Sequence, residues 1–74
     1  MAIQYPPVER FYPGCHVRHN FHLGLWMIER IDYTARKMWL VQCEDDGPYH
    51  GLPCPLSTPR MKELDSPEWR RSED

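Results

Sequence analysis

The chain has few cysteines, no surplus of positive charge and no long apolar run, and each shortage excludes a class of protein. Its 3 cysteines are an odd number and contain no Cys-x-x-Cys pair. That fits a reducing compartment better than a secreted disulfide framework. Lysine and arginine number 9 against 11 aspartates and glutamates, for a formal charge of −2. The basic excess that phosphate contacts ask of a nucleic-acid binder is therefore missing. No apolar run approaches the roughly 20 residues of a membrane span. The opening Met1-Ala2-Ile3-Gln4-Tyr5-Pro6-Pro7 has neither the basic nor the apolar region of a signal peptide. A cytoplasmic location is expected, with no membrane partner. No internal repeat is present.

Seventy-four residues allow one domain, and a core of that size yields about 3–5 kcal/mol of net stability. Hydrophobic residues at 41% and aromatics at 12% are enough to fold it. Eight prolines and 4 glycines divide the chain into short pieces and argue against long helices.

A Pro/aromatic arm over 1–13 carries Tyr5, Phe11 and Tyr12, too apolar for a free tail. Pro13-Gly14 turns into a first strand near 14–19. After a loop from Asn20 to Gly24, residues 25–32 form the clearest strand. There Trp26 and Ile28 share a face, and a β-bulge near Glu29-Arg30 brings Ile31 back to it. A turn over Asp32 to Arg36 leads to a strand over 37–43. Its Trp39, Val41 and Cys43 lie on one side, with Met38, Leu40 and Gln42 on the other. Asp46-Gly47 reverses the chain after an acidic run. Residues 50–56 read as an edge strand, because Pro53 and Pro55 cannot donate to a ladder. Thr58-Pro59 caps a short helical turn, followed by a short strand near 62–66 and a tail over 67–74. The expected fold is mainly β: a five-stranded SH3-like barrel over 14–66 with a helical turn near the C-terminus. Its expected core is Val17, Ile28, Ile31, Trp39, Val41 and Leu64. Met38 and Leu40 are then left outside, to be covered by the arm or by a second copy, so a homodimer is expected.

Several landmarks carry a family resemblance. Gly14 opens the first strand, Gly24 precedes the Trp26-Met27-Ile28-Glu29 strand, and Met38-Trp39-Leu40-Val41 runs into Asp45-Asp46-Gly47. A proline-rich segment then ends at Leu64. Over about residues 14–64 this resembles the small SH3-like barrels of the YodC-like bacterial family and, more distantly, KOW-type and plasmid-borne dihydrofolate reductase barrels. The resemblance implies a fold and a bacterial, phage or mobile-element source, and brings no chemistry. The Val-Gln-Ile-Tyr segment of the plasmid reductase pore is absent, which counts against that activity.

Cys15, His16, His19 and His22 fall within eight positions and are of types that zinc accepts. On a strand, however, Cys15 and His16 point to opposite faces, so no metal site or cofactor is expected. Cys43 reads as a core residue and Cys54 as an edge residue, rather than as nucleophiles. Glu44, Asp45 and Asp46 read as a solvated turn. No catalytic spacing emerges, and an enzyme is not expected. The exposed aromatics and neighbouring cations are the candidate contact surface: Tyr12, Trp26, Tyr33 and Tyr49 with Arg18, Arg30, Arg36 and Lys37. Trp26 and Trp39, on neighbouring strands, are candidates for a cross-strand pair, weighed against at least one of them filling the core. The leading expectation is an interaction module for a protein partner. The alternative is a nucleic-acid strand lying on the basic and aromatic strip.

Overall fold

In the computed structural model of the protein, residues 11–72 are described; Tyr5 and the rest of the first ten residues lie outside them. Five strands form one antiparallel sheet: β1 His16–His19, β2 Leu25–Asp32, β3 Lys37–Cys43, β4 Arg60–Glu63 and β5 Trp69–Arg71. Their order is β4-β3-β2-β1-β5. Among the described residues, no helix is long and apolar enough to cross a membrane.

β2 and β3 form a hairpin, turned by residues 33–36. Asp32 Oδ1 accepts the Ala35 N–H at 3.0 Å, and Arg36 closes the turn at φ 58. The register slips between Ile28 and Arg30, where Glu29 is the extra residue of a β-bulge. The slip aligns Ile28 with Leu40 and Ile31 with Met38, so three apolar residues of β2, Trp26, Ile28 and Ile31, share the inner face despite their uneven spacing.

That inner face is the core. Phe11, Cys15, Val17, Ile28, Met38, Leu40, Leu64 and Trp69 are buried together, with Trp26 and Ile31 packed on them. Met38 and Leu40 are 0% exposed, which corrects their expected place on the outer face. Trp39 and Val41, expected inside, lie on the other side. The alternation of β3 is as expected and its sense is inverted, for a physical reason. Phe11, Leu64 and Trp69 pack on the side of Met38 and Leu40 and close it from water, while the Trp39 indole, half-exposed on the other side, carries the Arg30 guanidinium on its face. Trp26 stands opposite Gln42, and Trp39 opposite Arg30, so the two indoles face away from each other and form no cross-strand pair.

Outside, Leu25, Val41 and Cys43 are buried as well. The cover is the segment over 44–57, which contains the edge strand expected over 50–56. Its strand character amounts to one bridge, Cys43 to Pro53. Pro53 and Pro55 cannot donate, so a full ladder cannot form. Instead a short 3-10 helix over Gly47–Tyr49 folds the segment back. It is tied by Glu44 N–H to Leu52 O and Cys54 N–H to Gln42 O, each 2.9 Å. His16 Nε2 donates to Gly51 O at 2.8 Å. Gly51 sits at φ 85, and a Cβ there would come within 3.3 Å of His16 Nε2. Only glycine makes this approach without strain.

The expected helical turn after Thr58-Pro59 is strand β4, and the expected tail contains β5, paired to β1 through His19 and Trp69. β4 and β5 stand at opposite edges of the sheet, although only residues 64–68 join them. In a flat sheet the edges would lie about 19 Å apart, four spacings of about 4.8 Å. The link spends its length in turns, with Ser66 N–H bonded to Glu63 O. The sheet must therefore curl until its edges approach. It remains open, and Leu64, 0% exposed, plugs the curl from inside.

Among the described residues, Cys15, Cys43 and Cys54 form no disulfide. The Cys54 N–H bond to Gln42 O places Cys54 across from Gln42, on the side of the ladder away from Cys43. Desolvation, then the charge of Glu44 and its hydrogen bond with the Cys54 thiol, push the Cys54 thiol above its ordinary value. Burial does the same to Cys43. Iodoacetamide should therefore label Cys54 first in the folded protein. Its rate should still be rising past the ordinary thiol value of 9.0. Cys15 and Cys43 should react only on unfolding, as read by mass spectrometry of the peptides.

Candidate partner-binding cleft

Where the two edges of the curled sheet approach, the loop between β1 and β2 meets the link between β4 and β5. Two contacts hold them. Asn20 N–H donates to Glu68 O at 2.9 Å, and His19 Nε2 lies 3.1 Å from Glu68 Oε2. The tautomer of His19 follows from its other nitrogen. Phe21 N–H donates to Nδ1 at 3.1 Å, so Nε2 carries the proton and donates to the carboxylate. One imidazole thus fixes both the start of the loop and the link facing it.

Around it the aromatic rings gather. Trp69 lies edge-on to His19, centroids 4.7 Å apart, and His22 leans on His19 at 4.6 Å. Trp69 in turn meets the edge of Trp26 at 6.2 Å. The result is an open cleft of ≈ 500 Å³ walled by His19, Phe21, His22 and Trp69, with Lys62, Glu63, Ser66 and Glu68 on its rim. Beyond the same loop a second hollow of ≈ 360 Å³ runs past Arg18 and Asp45. The loop between them carries two exposed apolar side chains, Phe21 at 74% and Leu23 at 99%. Apolar rings presented beside a concave, partly polar surface are the makings of a contact site.

The expected site residues do not assemble into one surface. Tyr12 and Tyr33 are exposed neighbours, since the Tyr33 hydroxyl donates to Phe11 O at 3.3 Å. Tyr49 is exposed at a distance from them in sequence and structure, on the 44–57 segment. Trp26 is half-buried, its Nε1 covered and without a hydrogen-bond partner among the described residues. The basic strip is broken up by carboxylates. Arg18 grips Asp45 with two hydrogen bonds, 2.7 and 3.2 Å. Arg36 does the same to Asp65 at 2.8 and 3.2 Å, and Lys37 pairs with Glu63. These hydrogen bonds hold the Asp45 and Asp65 carboxyls below the usual carboxylate range. Arg30 lies on an aromatic face, 3.6 Å from the Trp39 centroid.

Of the Cys15, His16, His19 and His22 cluster, only His19 and His22 stay together. Cys15 lies in the core, His16 holds Gly51 and His19 holds the cleft. Among the described residues no group of three or more His, Cys, Asp or Glu is placed to hold a metal ion. Phe21, Trp69 and Met61 were not among the expected site residues. The signal for Phe21 is its setting: an aromatic within Asn20-Phe21-His22-Leu23-Gly24, between two strands, has no inner face to occupy. Compared with protein-family models, curated proteins and solved structures, the chain matches none.

Proposed function

We propose that the chain is a non-enzymatic interaction module that seats a protein partner in the aromatic cleft between the β1–β2 loop and the β4–β5 link. The observation that carries this reading is the exposure of Phe21 beside a cleft floored by Trp69 and His19. A small domain gains nothing in its own stability from an aromatic left 74% in water. The strand order β4-β3-β2-β1-β5 on a curled sheet supports a barrel of SH3-like type, and the YodC-like kinship rests on the sequence landmarks alone. With that kinship go a bacterial, phage or mobile-element source and a cytoplasmic setting. Tyr12, Tyr33 and Tyr49 widen the contact surface. A nucleic-acid strand ranks second, because Arg18, Arg36 and Lys37 are already neutralised within the fold. A homodimer through Met38 and Leu40 is not carried forward, since neither side chain reaches the surface.

The test is selection from a displayed library of random peptides on the full chain. Enriched peptides should lose about tenfold or more in affinity on Phe21→Ala, as a contact hot spot does. The urea midpoint of that variant should be unchanged. An empty selection, or affinities indifferent to Phe21, would remove the cleft from consideration.

A further inference from the structure

Three apolar side chains of the 44–57 segment stand in water: Tyr49 at 64% exposure, Leu52 at 54% and Leu56 at 95%. The backbone that carries them is nevertheless tied at both ends. Glu44 donates its N–H to Leu52 O and accepts the Gly51 N–H, each at 2.9 Å. Leu52 N–H closes one turn on Tyr49 O, and Ser57 N–H closes a second on Cys54 O, each at 3.0 Å. Gln42 N–H reaches Ser57 Oγ at 2.7 Å. Pro53 and Pro55 have fixed φ angles of their own. Residues of both turns line a groove of ≈ 310 Å³: Glu44, Tyr49, Leu52, Pro53 and Pro55. That is at the small end of ligand sites and suits one long side chain. The walls are already in place, so binding there has little left to order.

The charge of the segment selects the occupant. Residues 44–57 include Glu44, Asp45 and Asp46 and neither lysine nor arginine. Asp45 is taken by Arg18, and His50 donates from Nδ1 to Asp45 O at 2.6 Å. Arg60, beyond the end of the segment, lies over Trp26, 5.9 Å from its ring centroid. Among the described residues no cation pairs with Glu44 or Asp46. Glu44 Oε1 accepts the Cys54 thiol at 3.8 Å, a weak bond that leaves Oε2 to a stronger donor. A carboxylate beside apolar and aromatic walls suits a side chain with an apolar stem and a cationic head. Of the two such side chains, arginine fits better, because its flat guanidinium stacks on a tyrosine ring and meets a carboxylate with two parallel bonds. We propose that the groove is a second docking site, which takes an arginine on an exposed segment of a partner protein. The stem lies against Leu52 and the two prolines, and the guanidinium meets Glu44 and the Tyr49 ring.

The probe is the acetylated, amidated pentapeptide Ser-Leu-Arg-Leu-Ser, titrated into the isotope-labelled full chain by NMR beside counterparts with lysine or citrulline at the centre. Citrulline keeps the shape of arginine without its charge. Saturable shifts are expected at the Glu44, Leu52 and Cys54 amides and at the Tyr49 ring. Both counterparts should bind more weakly, the citrulline peptide by about tenfold. Glu44→Gln removes the charge and keeps the backbone bonds of that residue. It should weaken the arginine peptide by a similar factor and leave the urea midpoint unchanged. Phe21→Ala should leave this binding unchanged, which separates the groove from the cleft. Indifference to Glu44→Gln, shifts confined to other residues, or no saturable shifts at all would overturn the proposal. So would a citrulline peptide as tight as the arginine one, which would make the groove a purely apolar contact, or a lysine peptide as tight, which would leave arginine no advantage.

Discussion

Leu40→Ala should leave most of the protein unfolded in water at 25 °C. Leu40 is 0% exposed and sits mid-sheet, with Ile28 opposite on β2 and Arg60 opposite on β4. Truncating a buried leucine costs about 2–5 kcal/mol, the transfer of the lost methyls plus the cavity left behind. A domain of this length holds about 3–5 kcal/mol in total, so the loss is comparable to the whole stability. The neighbour gives the contrast. Val41 is also buried, at 7%, but on the outer face under the 44–57 segment, which can settle into the gap. Val41→Ala should cost about 1–3 kcal/mol and leave a folded majority. Urea unfolding followed by tryptophan fluorescence distinguishes the two. A Leu40→Ala midpoint equal to the parent's, with Val41→Ala the more damaging, would restore Trp39 and Val41 to the interior.

That contrast marks how far the sequence could be read. β2 and β3 carry enough apolar and β-branched residues, between clear turns, for their bounds to be legible. The bulge was legible too, because Ile31 stands one place out of step with Trp26 and Ile28. What period two cannot supply is which face is inside, when both sets on β3 are apolar. The deciding facts lie elsewhere in the chain. The 44–57 segment covers half of the outer face, and Leu64 seals the inner one. β4 begins two residues before the short strand expected near 62–66, because Arg60-Met61-Lys62-Glu63 is exposed throughout and its single apolar residue marks no buried face. Thr58-Pro59 imitates a helix start, yet too few residues follow for helix to be worth nucleating. The charges serve the edge instead, since a short strand bearing Arg, Lys and Glu resists unplanned pairing. The histidines were legible as a cluster and not as fasteners. His16 bonds a carbonyl 35 residues away and His19 a carboxylate 49 away. Separations of that size leave no local pattern.

The last strand makes the strongest demand on the fold, and Trp69→Ala tests it. Trp69 is 7% exposed and belongs to the central cluster. It stands across from His19 in the β1–β5 ladder and packs edge-on against both His19 and Trp26. Removing a buried indole costs about 3–5 kcal/mol, and β5, with three residues, has little else to hold it. Its detachment would bare the far side of β1, loosen the Glu68 contacts of His19 and Asn20, and open the curl at its mouth. The expected result is collapse of the near-ultraviolet circular dichroism that the Trp26–Trp69 contact generates. Amide protection of Val17 to His19 should be lost, with protection in the β2–β3 hairpin surviving longest. Trp69→Phe keeps an aromatic in the same seat and should recover most of the stability. The same pair of variants bears on the cleft, because its floor is this side chain. If Trp69→Ala kept both its near-ultraviolet signal and its urea midpoint, β5 would be an appendage rather than a wall. The cleft would then lack the rigid floor that a stable contact surface requires.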